Sequence, residues 1–347
     1  MKNLQNLNEL NELGIRDLTA LLTAGEISAL ELVDYYLGRI ESIDRNGPAL
    51  NSILELNPGA RSDAKNIDKG KNALRGKLAG IPLLLKGNID TGDGMSCTAG
   101  SLALAGHRPA GDAELVRLLR ETGAIILGKT NLSEWANFRS TASSSGWSSQ
   151  GGQTKNPYLL DRNPCGSSSG SAVAVSASLC AAAIGTETDG SILCPSSSNG
   201  IVGIKPTVGL VSTRGIIPIS HSQDTAGPMT RTVEDAAILL SVMMGDRASF
   251  DIGEMLGSLS GATADCGTEA LRGLRLGVVR NFFGKNSAVD ALMEKALGLL
   301  EAAGVLLIDT VLETKGSFDD AEFEVLLYEF STVPNPPPLF SPNPYHI

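Results

Sequence analysis

Apolar residues recur at helical spacing from Leu10 to Leu22 and again from Leu30 to Ile40, with Ser28 and Glu31 placed as a capping box ahead of the second run. Two surface helices are expected there. Leu50 to Leu56 reads as a strand, and Pro58 to Lys71 as a charged helix opened by its proline. The apolar run Ile81 to Leu85 is short enough for a buried strand and stops abruptly on Lys86. A loop-like stretch from Thr91 to Gly111 follows, then a helix over Asp112 to Glu121 and a strand over Ala124 to Leu127, closed by Lys129. The polar stretch from Ser140 to Pro157 is too long for a turn, and loops of that length tend to line sites or to be disordered. Such alternation belongs to an α/β fold.

The densest collection of small residues lies from Asn163 to Pro195, NPCGSSSGSAVAVSASLCAAAIGTETDGSILCP. A Gly-Ser loop (Gly166 to Ser171) leads into an uncharged Ala/Val-rich run (Ala172 to Ile184) and a polar turn (Gly185 to Ser191). Loop, helix buried all round, loop is the expected order. Further on, Ile201 to Ile204 reads as a short strand, Pro206 to Gly227 as loop, and Val233 to Met244 as a helix capped by Thr232. Leu274 to Val279, Val289 to Ala303 and Val305 to Ile308 then read as strand, helix, strand, and no repeat of fixed period is present. From Ser331 to Ile347, six of 17 residues are proline, so a disordered tail is expected.

With 347 residues, 42% of them hydrophobic and 19% charged, the chain can bury a large core. A net charge of −10 without a dense Lys/Arg run argues against nucleic acid as a partner. No apolar run approaches a membrane span, and the first residues lack the basic and apolar regions of a signal peptide, so no membrane association and a cytoplasmic location are expected. Five cysteines (Cys97, Cys165, Cys180, Cys194, Cys266), scattered and without CxxC spacing, read as reduced thiols rather than a disulfide frame or a zinc site.

So many hydroxyls beside a buried run need hydrogen-bond partners, and one reason to gather them is chemistry. Two blander readings compete. GSSSG also suits a flexible linker, although an apolar helix directly behind it argues otherwise. A phosphate-binding loop needs GxxxxGK, and no Lys or Arg occurs between Arg162 and Lys205. For serine chemistry a base is required, yet the histidines number only three, His107, His221 and His346, the last in the Pro-rich tail. A strand-end lysine is the alternative: Lys86 either snorkels to water or, if buried, is driven towards its neutral form by desolvation.

At these residues the chain resembles the amidase signature family, in which serine, a serine on a cis peptide and lysine form the triad. The resemblance covers IPLLLKGNID, GAIILGKTNLSEW, NPCGSSSGSAVAV, GTETDGSILCP and GIVGIKPTVGLVS, in family order. It implies an α/β fold with a large mixed sheet covered by helices on both faces, formed by residues 1–330. Matched position by position, it implies Ser191 as nucleophile, Ser167 as bridging serine and Lys86 as base. The backbone N–H groups of Thr188, Asp189, Gly190 and Ser191 would form the oxyanion hole, with Ser168, Ser169 and Thr186 supporting the triad. It further implies no cofactor and no metal, and a carboxamide substrate, small-molecule or peptide. The TETDGS form, with Asp189 where many members have glycine, looks like the peptide-amidase branch. The glutaminase-like subunit of a tRNA-dependent amidotransferase uses the same triad, and a non-catalytic relative is the third reading. Two departures stand out: Gly87 follows Lys86 where an acid is usual, and the family continues beyond the point where the Pro-rich stretch 331–347 begins. An incomplete C-terminal part, with reduced stability or activity, is therefore expected.

Overall fold

Six strands carry the centre of the computed structural model, which describes residues 7–70, 76–245 and 271–332. In chain order the strands are β1 (Ile53–Leu56), β2 (Pro82–Lys86), β3 (Ile125–Thr130), a small hairpin of β4 (Trp147–Ser148) and β5 (Gly152–Gln153), then β6 (Ala182–Glu187), β7 (Val202–Gly203) and β8 (Thr225–Thr230). The main sheet runs β1-β3-β2-β6-β8-β7. Its middle, β3-β2-β6, is parallel, and β1, β8 and β7 add antiparallel pairings. Every residue of β2, β3, β6 and β8 is buried, as strands inside a covered sheet are. Parallel pairing brings the carboxyl ends of β3, β2 and β6 to one edge, where open α/β sheets place their ligand crevices.

Helices α1 (Ile15–Ala24), α2 (Ala29–Arg39), α3 (Ala60–Lys69), α4 (Glu114–Glu121), α5 (Ser169–Ser176), α6 (Leu193–Ser198) and α7 (Val233–Met243) complete this part of the molecule. The Ser28 capping box is formed, with Ser28 Oγ accepting from Glu31 N and Glu31 Oε2 accepting from Ser28 N. Thr232 caps α7 by accepting from the Asp235 N–H. Helix α5 packs on β2, β3, β6 and β8, and α7 packs on β7 and β8.

The chain divides into two compact units, residues 1–249 with 328–347 and residues 250–327. In the second, β9 (Arg275–Val279), the helix Ser287–Ala302 and β10 (Leu306–Thr310) make the expected strand, helix, strand, with the two strands parallel from Leu306 opposite Arg275 to Thr310 opposite Val279. Of the stretch expected to be disordered from Ser331, Ser331 and Thr332 instead end the helix Asp319–Thr332, and residues from 333 onward lie outside the described residues.

Three expectations are corrected. The run Ala172 to Ile184 is not one helix: α5 ends at Ser176, the chain turns through Ser178 at φ 53°, and β6 begins at Ala182. Small apolar residues buried on every side carry no period that separates helix from strand. Within the expected loop Pro206 to Gly227, the chain already enters β8 at Thr225, and Gly227 and Pro228 disguise that strand. Finally, Cys165 and Cys194 are not free thiols; they form a disulfide with Cα atoms 6.0 Å apart. Cys97 and Cys180 are free and buried, and Cys266 lies outside the described residues.

Candidate active site

Lys86 occupies the last position of β2 and is fully buried. Its Nζ lies 2.7 Å from Ser167 Oγ and donates to Thr186 O (3.0 Å) and Thr186 Oγ1 (2.9 Å). Desolvation lowers its pKa to about 7, and the negative charges of Asp224 and Glu187 act in the opposite direction. This is no snorkelling cation. At neutral pH a large share of it is an unprotonated amine that can accept a proton.

Ser167 stands just before α5, and the Gly166–Ser167 peptide is cis, as the resemblance implied. The neighbouring hydroxyls hold this segment to the sheet and to itself. Ser168 Oγ donates to Thr186 O (3.0 Å) and accepts from Thr186 N (3.2 Å), while Ser169 Oγ donates to Cys165 O (2.6 Å). Ser171 Oγ meets Thr130 Oγ1 (2.7 Å) and Ile184 O (3.0 Å). Each buried hydroxyl of this loop thereby escapes the penalty of an unmade bond.

The turn after β6 carries Thr188, Asp189, Gly190 and Ser191, and Gly190 takes φ 72°, a value that favours glycine. Three residues outside the sequence assignment shape this turn. Buried Glu187 accepts from the N–H groups of Gly190 (3.0 Å), Ile192 (2.6 Å) and Leu193 (2.9 Å). Lys205 donates to Thr188 O (2.6 Å), and its Nζ lies 3.7 Å from Glu187 Oε1. Thr188 Oγ1 donates to Asp224, whose other oxygen accepts from Ile219 N (2.8 Å) and Ser220 N (3.1 Å). Burial raises the Asp224 pKa. Glu187 had a weak signal in sequence, the first charged residue after a long uncharged run. Asp224 had none, and Lys205 stood unassigned within the GIVGIKPTVGLVS motif; both reach the turn from later in the chain.

Ser167 and Ser191 line one cavity together with Asn88, Thr186, Thr188 and Asp224, and Ile216, Ile217 and Ile219 supply an apolar wall. Asp189 is exposed. His107 and His221 are not among the lining residues, the His221 side chain is 80% exposed, and His346 lies outside the described residues. Gly87 is crowded, since a Cβ there would come 2.9 Å from Leu54 Cδ1 and 3.0 Å from Thr130 O, so the acid usual at this position does not fit the present packing.

Residues 31–335 match the family described as Amidase. A peptide amidase from Stenotrophomonas maltophilia is 50% identical with a TM-score of 0.81, over 92% of this chain and 66% of its own. A probable amidase of Arabidopsis thaliana is 41% identical over 92% of this chain and 63% of its own length. One subunit of the glutamyl-tRNA(Gln) amidotransferase of Halorhodospira halophila is also 41% identical, over 86% of this chain and 60% of its own. On this sheet, this serine and lysine edge and these matches, the chain belongs to the amidase signature family. It spans about 60–66% of the length of these relatives.

Proposed function

We propose that the chain is an amidase that hydrolyses a carboxamide to carboxylate and ammonia or amine through an acyl-enzyme on Ser191. One observation carries the reading: a fully buried Lys86, with a pKa near 7, lies 2.7 Å from Ser167 Oγ in the wall of a cavity that Ser191 shares. Ser191 Oγ attacks the carbonyl carbon, its proton passes to Ser167, and the Ser167 proton passes to Lys86 Nζ. Negative charge then gathers on the carbonyl oxygen, where backbone N–H groups of the turn 188–191 receive it. The Gly190 N–H is committed to Glu187, which leaves this work to Thr188, Asp189 and Ser191. Because Lys205 pins the carbonyl of the planar Thr188–Asp189 peptide, the Asp189 N–H is aimed the opposite way. Ser167 returns a proton to the leaving nitrogen, and water releases the acyl group by the same relay.

Peptide C-terminal amides or similar carboxamides are the proposed substrates. Support comes from 50% identity to a peptide amidase and from a peptide amidase structure that holds the competitive inhibitor chymostatin. The similarity to the amidotransferase of glutamyl-tRNA(Gln) favours a second reading, in which ammonia from an amide is passed to a partner protein. The test is ammonia release from a panel of primary carboxamides, peptide amides and glutamine, with Ser191→Ala as control. Release from peptide amides that Ser191→Ala abolishes is expected. Release from glutamine alone, stimulated by a co-purifying partner, would favour the second reading, and no release with no adduct on Ser191 would sink both.

A further inference from the structure

The two serine-bearing segments are tied together by a covalent bond as well as by hydrogen bonds. Cys165 and Cys194 form a disulfide across a separation of 29 residues, one just ahead of Ser167 and the other just behind Ser191. Each half is bonded to its own serine turn: Cys165 O accepts from Ser169 Oγ (2.6 Å), and the Cys194 N–H donates to Gly190 O (2.8 Å). Across the gap, Ser168 N donates to Ser191 O (3.1 Å) and Asn199 Nδ2 donates to Pro164 O (2.9 Å). Cys194 is exposed and Cys165 half-buried, which leaves the bond open to a soluble thiol.

We propose that the Cys165–Cys194 disulfide is a redox-dependent clamp that sets the Ser167 loop against the Ser191 turn, so that reducing it slows the reaction. This rests on the acyl-enzyme reading above. Proton transfer from Ser191 to Ser167 needs oxygens within about 2.6–3.2 Å, and a misplacement near 1 Å can cost on the order of a hundredfold. With the clamp open, the two loops are held by the hydrogen bonds across the gap and by their separate attachments to β6. The reductant is a dithiol. Its thiolate attacks Sγ of Cys194, the more exposed residue of the pair, forming a mixed disulfide and expelling the Cys165 thiolate. Its second thiol then closes a cyclic disulfide and expels Cys194, so two electrons and two protons reach the protein. In a reducing compartment the pair would stand as thiols, and in an oxidising one as the clamp.

The experiment compares the whole chain before and after dithiothreitol, with the thiol state followed by alkylation and mass spectrometry. Read-outs are kcat, KM and the rate at which a fluorophosphonate labels Ser191. Reduction is expected to lower kcat and labelling by about tenfold or more with KM little changed, and reoxidation to restore them. A variant carrying both Cys165→Ser and Cys194→Ser should sit at the reduced value with or without reductant. Complete conversion to thiols with kcat and labelling held within about twofold would overturn the clamp. If the untreated chain neither labels nor turns over, the acyl-enzyme reading fails by itself. The clamp is then judged by hydrogen exchange of the amides at 166–170 and 188–193: faster exchange on reduction supports it, and unchanged exchange refutes it.

Discussion

Lys86 shows how packing sets the proton affinity of one side chain. A lysine fully enclosed at a strand end loses hydration, and its pKa falls to about 7. In the proposed relay it accepts a proton only when neutral, so kcat/KM should rise with pH through this range and then level. Asp224 favours the protonated form, so Asp224→Asn should lower the Lys86 pKa further and move the acid limb to lower pH. The amide can keep the contacts, its oxygen accepting from Ile219 and Ser220 and its nitrogen facing Thr188 Oγ1. An unmoved limb in that variant would remove Asp224 from the electrostatics of the site. Lys86→Ala is expected to reduce turnover by about 10²–10⁴-fold, and Lys86→Arg should not restore it, because arginine keeps its proton. Lys86, Ser167 and Ser191 were legible because short motifs carry them. Glu187 and Lys205 stand in the same motifs and Asp224 in none, but none of the three was assigned, since what they do depends on contacts that only the folded chain makes.

Among the elements, the least legible boundary was that between α5 and β6. The composition is uniform from Ala172 to Ile184, and only the sheet, with β6 paired to β2 and β8, decides where helix stops. Close approach is written instead into the glycines. A Cβ on Gly170 in α5 would stand 2.4 Å from Ser52 O and 2.5 Å from Asn131 O, so the helix rests directly on backbone beside β1 and β3. Helix propensity alone would make Gly170→Ala stabilising by roughly 0.5–1 kcal/mol. Overpacking opposes it with about 1–3 kcal/mol, so the variant is expected to unfold at lower denaturant and to label Ser191 more slowly. A higher midpoint would show that α5 shifts freely on the sheet.

At the scale of the molecule, the strand, helix and strand of residues 274–310 were readable from period and run length, whereas their exposure was not. A parallel pair of strands is ordinarily covered on both faces. Here β10 presents Leu306 at 56% exposure, and the helix Ser287–Ala302 buries only Leu297. Val289, Leu292, Met293 and Leu299 are all exposed large apolar residues of that helix. Spacing of three, four and seven marks the buried stripe of an amphipathic helix, and full burial of one such side chain is worth about 1.5–3 kcal/mol. A contiguous apolar surface of this kind draws partners or promotes association. The purified chain is therefore expected to bind a hydrophobic dye under native conditions and to associate as its concentration rises. Replacing Leu292 and Leu299 by glutamine should weaken both effects without lowering the melting temperature, since neither side chain is packed. A monomeric chain that leaves the dye dark at every concentration would mean that this stripe is covered in solution.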